Sequence, residues 1–569
     1  MAKWFGSRVN SHFDRSIYKR FILIAVLLVL CVLAVVVRVV YIYQLDPALL
    51  ISPQQRITHS TVKSVVPRAS ITDRFGYVLA MSVPEYKLSI DTIHMAWTSQ
   101  MKQSIADILG WRRQRVDQWF ANHPKRYAYL ATINQQQYSQ IKESGLRGVY
   151  IDVSYRRHYP LGEKAAHVIG RTDHSQKGVQ GLEFSLNKLL QSDVKSTLVK
   201  HDRKGRPLSR TRLARQENQA MTTTLDHRIQ FFAGQELEKM IQESGAVSGS
   251  VVVLNKSGDI LALVNYPAFD PNVSLPVLDD RIRNRALIDL FEPGSIIKPL
   301  AMAAMLPELG QSVTQVDTKG AKIKLDRFVV SDVRDHGIIP LDDVLKKSSN
   351  VAMIKLAKQA KNTDIIASYA NMGLFDESDI HLYGEASNAH FSQINKDSTN
   401  YFTATYGYGF QVSLLRIAHA YLILANHGVD PGVRLLHNET HKQKRVISAQ
   451  AAIRVNQMLQ SAVSHDGTGF RARIKGVHVS GKTGTAHIQS QGKKGYSDKH
   501  MASFVGFAPT ENPEYIIAVL LNEPQGMYHF GSRSAAPVFK EIMQFALSSH
   551  EFVPRIATSV GNENVSFSS

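Results

Sequence analysis

Residues 21–37 run for seventeen positions without a charge or a proline, and the apolar character resumes after Arg38 through residues 39–43. About 20 residues at roughly 1.5 Å rise each span the hydrocarbon core of a bilayer. Residues 21–43 are therefore read as one transmembrane helix, with Arg38 snorkelling to the far interface beside Tyr41 and Tyr43. A cleaved signal peptide needs a shorter apolar region that ends in small residues. The run Arg38-Val39-Val40-Tyr41-Ile42-Tyr43 offers none, so the anchor is expected to stay. Lys3, Arg8, Arg15, Lys19 and Arg20 stand against Asp14 on its N-terminal side. The positive-inside rule then predicts a cytoplasmic tail over residues 1–20 and export of everything beyond the anchor. No second apolar run of that length appears, so a single crossing is expected.

At 569 residues the chain is expected to hold about two to four domains. Its net charge of +19 suits an anionic surface such as membrane lipid, or solubility and topology signals. No nucleic-acid motif accompanies the charge, so no nucleic-acid partner is expected. The one cysteine, Cys31, lies inside the apolar run and leaves no intramolecular disulfide.

Residues 44–225 mix short strand-like runs with a helix expected over residues 100–120, where Met101, Ile105, Ile108, Leu109, Val116 and Phe120 recur at helical spacing. The basic run from Lys200 to Arg215 reads as a solvated connector near a domain boundary. From residue 226 the pattern changes. A helix is expected over 230–243, then strands over 250–254 and 260–265 joined by a four-residue loop containing Gly258. Helices follow over 300–306, 351–360 and 414–425, strands over 474–480, 502–507 and 515–521, and a last helix over 539–547. Strands at both ends with helices between predict an antiparallel sheet completed by both termini of the domain, with helices on its faces.

Pro293 and Gly294 mark a turn before an apolar helical run that Ser295 opens, with Lys298 three residues on and on the same helical face. A serine hydroxyl is inert until a base takes its proton, and a lysine serves only when burial or nearby positive charge lowers its pKa. The spacing alone is weak, since it recurs at Ser16/Lys19, Ser60/Lys63 and Ser490/Lys493 among others. Ser295 stands out because Ser348-Ser349-Asn350 and Lys482-Thr483-Gly484-Thr485 follow it in that order.

That ordered triplet resembles the penicillin-binding proteins and class A β-lactamases. Arg68-Ala69-Ser70-Ile71-Thr72-Asp73-Arg74-Phe75-Gly76, Tyr159-Pro160, His167-Val168-Ile169-Gly170 and Gly178-Val179-Gln180-Gly181-Leu182-Glu183 resemble the pedestal of the class B penicillin-binding proteins, with Ala69 where the family usually has glycine. Asp332-Val333-Arg334-Asp335, Tyr406-Gly407-Tyr408-Gly409 and Phe504-Val505-Gly506-Phe507-Ala508-Pro509 are similar to its division-specific members. Leu414 and Arg416 stand where proline and glutamine are common.

The resemblance implies a multidomain α+β chain, with a single N-terminal transmembrane helix at 21–43. An elongated, non-catalytic pedestal of dimerisation type would occupy 44–225. A transpeptidase domain at 226–550 would have a central antiparallel sheet packed by helices, as in serine β-lactamases, before a loose tail at 551–569. By resemblance, Ser295 is the nucleophile towards the D-alanyl-D-alanine end of a peptidoglycan stem peptide, and Lys298 its base. Ser348 relays a proton, Asn350 bonds Lys298 and the substrate amide, and Lys482 supplies positive field. Thr483, Gly484 and Thr485 bind substrate, Gly484 by leaving room for a substrate strand at a sheet edge. The implied reaction cross-links septal cell wall at the bacterial inner membrane, with the catalytic domain periplasmic and β-lactams as inhibitors. Its implied partners are a glycan polymerase of the SEDS type and bitopic division proteins. An elongation-specific transpeptidase, a β-lactam-hydrolysing or sensing protein, and a division scaffold with a degenerate site are the alternatives. No metal or cofactor is expected, because the close pair His437/His441 beside Glu439 reads as surface. No acid between Asn350 and Lys482 carries a motif for the deacylating glutamate of class A β-lactamases.

Overall fold

The structure, a computed structural model, describes residues 11–45, 59–64, 66–124, 126–191, 195–201, 207–212, 220–273, 279–326, 328–378, 380–387, 391, 394–396, 398–490 and 495–549. Residues 1–10 of the expected cytoplasmic tail, the expected tail at 551–569, and 202–206 and 213–215 of the basic connector lie outside the described residues. The chain divides into two units, one formed by Met1–Val66 with Asp193–Glu217, the other by Pro67–Ser192 with Asn218–Ser569.

In the first unit, α1 (Ser11–Leu45) contains a candidate membrane span over Lys19–Tyr41, with a mean hydropathy of 3.3 and none of it buried. Arg38 lies over the ring of Tyr41, 5.5 Å from its centroid, as a snorkelling arginine beside an interfacial aromatic does. This helix fits a single-pass membrane anchor. The same unit holds a three-stranded antiparallel sheet in the order His59–Ser64, Lys195–His201, Pro207–Arg212. Much of the basic run expected to be a connector is thus strand, with Lys200 paired to Ser209 and His59.

In the second unit, the strand Val78–Asp91 pairs antiparallel with Tyr127–Ile133 on one side and Val149–His158 on the other. Ile105 and Leu109 of Ser99–Leu109, Val116 of Arg113–Asn122 and Ile141 of Gln135–Glu143 pack with Leu88, Ile90 and Leu130 in one buried cluster. The single helix expected over 100–120 is two. Gly110 adopts φ 67° and its N–H donates to Ala106 and Asp107, which closes the first helix before Arg113 starts the next.

The rest of this unit is built in chain order from α2 (His227–Ser244), β1 (Ser248–Asn255), β2 (Ile260–Tyr266), α3 (Lys298–Leu309), α4 (Asn350–Gln359), α5 (Leu414–Ala425), α6 (Ala449–Ala462), β3 (Ser480–Gln489), β4 (Tyr496–Ala508), β5 (Tyr515–Asn522) and α7 (Ala535–Ser549). The strands form one antiparallel sheet in the order β2-β1-β5-β4-β3, so both ends of this region complete it. Successive side chains of a strand point to opposite faces. On one face Val251, Val253, Phe504 and Val519 pack against Leu237 and Ile241 of α2 and Phe539 and Ile542 of α7. On the other, Val252, Leu254, Val505, Phe507, Ile516 and Ala518 join the cluster that contains α3, α5 and α6. Every residue of α5 is buried, Arg416 and His419 among an otherwise apolar run. The strand expected over 474–480 begins only at Ser480, and residues 474 and 477 form an isolated bridge. The Lys482 motif therefore lies within the edge strand β3 rather than after a strand.

Candidate active site

Ser295 is carried on a 3₁₀ turn, Gly294–Ile297, that runs straight into α3. Main-chain contacts hold this turn. Phe291 and Val412 exchange two hydrogen bonds of 3.1 and 3.0 Å, and Gly294 N donates to Gly407 O at 3.0 Å. A Cβ at Gly407 would lie 2.1 Å from the Gly294 carbonyl oxygen, so the approach needs glycine there. Tyr421 of α5 donates its hydroxyl to Ile296 O at 2.7 Å.

Ser348 brings the second motif to the first. It ends the short helix Val344–Lys347 at φ 56°, a left-handed conformation that costs a non-glycine residue free energy and recurs at functional sites. Its hydroxyl donates to Ser295 Oγ at 3.1 Å. Lys298 Nζ donates to Ser348 O at 2.5 Å and to Ser348 Oγ at 3.2 Å. Lys482 Nζ donates to the same hydroxyl at 2.9 Å and to Thr483 O at 3.1 Å. The described contacts thus lead from Lys298 to Ser295 through Ser348.

Both lysines are fully buried, while Ser295 is partly exposed. Burial holds Lys298 well below its ordinary pKa and the charge of Lys482 pushes it further, partly opposed by Asp332. Burial brings Lys482 down to about 7. Neutral amine is therefore accessible beside the serine.

Asn350 departs from expectation. Its side-chain Nδ2 donates to Ser331 O at 3.3 Å, and among the described residues no hydrogen bond joins it to Lys298. The cause is Asp332, whose Oδ1 accepts from Asn350 N at 2.6 Å and Val351 N at 3.2 Å, while Oδ2 accepts from Ser349 Oγ at 2.5 Å. Asp332 so fixes the start of α4 and the direction in which Asn350 leaves it. No spacing signal ties residue 332 to residue 350; only its place in a family-like stretch marks it.

Gly484 also has a reason inside the fold. A Cβ there would lie 2.2 Å from Ser503 Oγ and 3.0 Å from Ile296 Cγ2, so its glycine lets β3 close onto its neighbour and the serine turn. Thr485 Oγ1 accepts from Gly531 N at 3.3 Å, and Thr483 is buried beside Lys482.

His437 and His441 are both exposed. Among the described residues, ligand atoms of Asp73, Asp226 and His227 lie close enough together for a metal ion. Both carboxylates there are already occupied: Asp73 Oδ2 by His227 N and Nδ1, Asp226 by Arg228 N, Nε and Nη2. That cluster caps α2. Arg416, unusual for its position, is buried on α5 with Nε 2.9 Å from Glu385.

An antiparallel sheet with helices on both faces carries a serine joined to two buried lysines through a second serine, an arrangement in which an amine can stand beside a hydroxyl nucleophile. The family model "Penicillin binding protein transpeptidase domain" matches residues 249–544, and "Penicillin-binding Protein dimerisation domain" matches 63–220. The chain is 32% identical to the probable peptidoglycan D,D-transpeptidase PbpC of Pseudomonas aeruginosa over 93% of its length and 94% of the relative. It is 29% identical to the peptidoglycan D,D-transpeptidase FtsI of Escherichia coli K12 over 96% and 94%. Penicillin-binding protein 3 of Mycobacterium tuberculosis superposes with a TM-score of 0.65 at 25% identity, covering 87% of this chain and 98% of that one. The chain belongs to the class B penicillin-binding proteins.

Proposed function

We propose that this chain is a D,D-transpeptidase that cross-links peptidoglycan stem peptides, in the septal wall of a dividing bacterium. The Ser295 hydroxyl attacks the carbonyl of the penultimate D-alanine. Its proton passes through Ser348 to neutral Lys298, and the C–N bond to the terminal D-alanine breaks as that amine leaves with a proton. The acyl-serine is resolved by an amine of a neighbouring stem peptide, whose proton leaves by the same route. Lys482 keeps positive charge near the developing oxyanion, and the backbone N–H groups of Ser295 and Thr485 are its donors, each worth about 3 kcal/mol in comparable sites. Thr483 and Thr485 take the substrate carboxylate. Asn350 faces the substrate amide from the start of α4. A β-lactam, as a mimic of the donor, leaves Ser295 acylated. The supporting observation is the pair of buried lysines bonded to one hydroxyl that itself reaches Ser295.

The helix α1 anchors the chain in the inner membrane, with residues 1–20 cytoplasmic and the catalytic region periplasmic. The pedestal occupies 44–225 and the transpeptidase domain 226–550, a division supported by the two family matches. The polymerase that makes the glycan strands, of the SEDS type, and bitopic division proteins are the expected membrane partners. The relatives named FtsI support a septal rather than a lateral role.

Labelling with a fluorescent penicillin, wild type beside Ser295→Ala, tests the chemistry. A label on wild type that persists for hours and is absent from Ser295→Ala is expected. Labelling of Ser295→Ala would overturn the assignment, and release of the label within minutes would make the protein a hydrolase instead.

A further inference from the structure

Glu292, three residues before Ser295, is buried at 8% exposure, and none of the mechanism above uses it. Its Oε1 accepts from Gly409 N at 2.8 Å and from the Tyr496 hydroxyl at 3.3 Å. Among the described residues, its Oε2 is buried without a hydrogen-bond partner. Tyr496 meets Tyr408 edge to face at 5.4 Å, and Tyr408 meets Tyr406 at 5.6 Å, so the carboxyl faces an aromatic wall rather than a cation. Burial accordingly pushes its pKa up, against the bonds from Gly409 and Tyr496.

A buried acid oxygen with no partner costs free energy that an apolar side chain would not. Such a group marks a place where geometry is held for a purpose other than stability. The geometry here is specific. Gly409 belongs to the same loop as Gly407, which bears on the nucleophile turn, and Tyr496 opens β4, the strand paired with the Lys482-bearing β3. One oxygen therefore ties together the serine turn, the 406–411 loop and the hairpin that carries Lys482.

We propose that Glu292 is a positioning residue for acylation, whose acceptor oxygen clamps the Ser295 turn between the 406–411 loop and β4. This rests on the acyl-serine reading above. The role requires an oxygen acceptor at that place and no proton transfer, so the amide should replace the acid. An error of about 1 Å in a reacting group can cost a hundredfold in rate.

The test is stopped-flow acylation of full-length, detergent-solubilised protein by a reporter penicillin, separating the acylation rate constant from the dissociation constant, with melting temperatures alongside. Glu292→Gln is expected to acylate within about twofold of wild type with the same pH profile. Glu292→Ala is expected to lose about tenfold to a hundredfold in the acylation step with little change in dissociation constant. Tyr496→Phe, which removes one of the two donors without leaving a large cavity, is expected to lose less. It decides the matter if Glu292→Ala does not fold. Wild-type acylation by folded Glu292→Ala, or a lower melting temperature with the rate unchanged, would make the role merely structural and overturn the proposal. Glu292→Gln as slow as Glu292→Ala, or lacking a limb of the pH profile, would overturn it too, because the acid's proton or charge would then be required. Labelling of Ser295→Ala in the same assay would instead remove the acyl-serine reading on which the clamp depends.

Discussion

Glu183 of the pedestal lies between two guanidinium groups, Arg68 Nε at 2.5 Å and Arg157 Nε at 2.6 Å, with all three side chains out of water. Arg68 also donates to Glu183 O and Asn187 Oδ1, and Arg157 to Arg68 O. Lys298 and Lys482 are buried just as deeply, yet their only hydrogen-bond partners among the described residues are hydroxyl and carbonyl oxygens. A buried charge is tolerable when it is paired and bonded, and removing one member leaves the others stranded. A buried amine without a counter-ion gives up its proton instead. Equal burial thus makes a rivet in one region and a pair of depressed lysines in the other. The presence or absence of an acid in contact decides which.

The largest break in that contrast should come from Lys298→Met, which removes the amine but keeps an unbranched side chain. Penicillin acylation should fall by about 10²–10⁴-fold, the usual size of a lost general base, with the melting temperature unchanged or higher. Stopped-flow fluorescence and thermal unfolding read the two effects, and a strongly lowered melting temperature would put Lys298 in the structural class with Glu183. Glu183→Gln should behave in the opposite sense. It strands Arg68 and Arg157, and about 3–5 kcal/mol of stability should be lost in denaturant unfolding, while the folded fraction acylates at the wild-type rate.

The pH response separates the two regions more finely. With the lysine pKa values depressed, the unfolded chain binds more protons than the folded one between about 7, where burial places Lys482, and the ordinary lysine value of 10.5. The lysines' contribution to stability should therefore rise with pH across that window and be lost as pH falls through it. Acylation should slow as the medium is acidified, because the base is then protonated. Lys298→Met should flatten the stability slope, which pH-resolved melting curves would register, and Glu183→Gln should leave it in place. The smallest effect expected is that of Ala69→Gly, the family's commoner residue. Ala69 is buried, its φ is not positive, and its N–H already donates to Leu190 O at 2.9 Å. Added chain freedom should cost about 1 kcal/mol, with acylation untouched.

Features that depend on local pattern were readable beforehand. The β1–β2 hairpin with its loop at 256–259 and the helix at Leu414–Ala425 follow from short-range periodicity. The anchor at 21–43 follows from length and apolarity, within two residues of the span over Lys19–Tyr41. Contacts between distant residues were not readable. Glu183 meets Arg68 across 115 positions, and nothing near either residue announces the pair. The same holds for Asp332, which redirects Asn350, and for Ser503 and Ile296, which explain Gly484. Arg416, which looked like a lapse from the family pattern, has its answer in Glu385, contributed by a loop before it. The single helix expected at 100–120 failed for a nearer reason: its apolar spacing continued past Gly110, and a left-handed glycine outweighs periodicity at a helix end.

Ser348 sits at a junction whose valence is used up. A hydroxyl has two lone pairs and one hydrogen. Here the amines of Lys298 and Lys482 both donate to the oxygen, and the hydrogen points at Ser295 Oγ. In that resting arrangement nothing can draw a proton off the nucleophile. A neutral lysine nitrogen can accept as well as donate, and a Ser348 hydroxyl turned towards it would leave its own oxygen open to the Ser295 hydrogen. Ser348→Ala should remove the one hydroxyl that both lysines touch, and with it the described contact from either of them to Ser295.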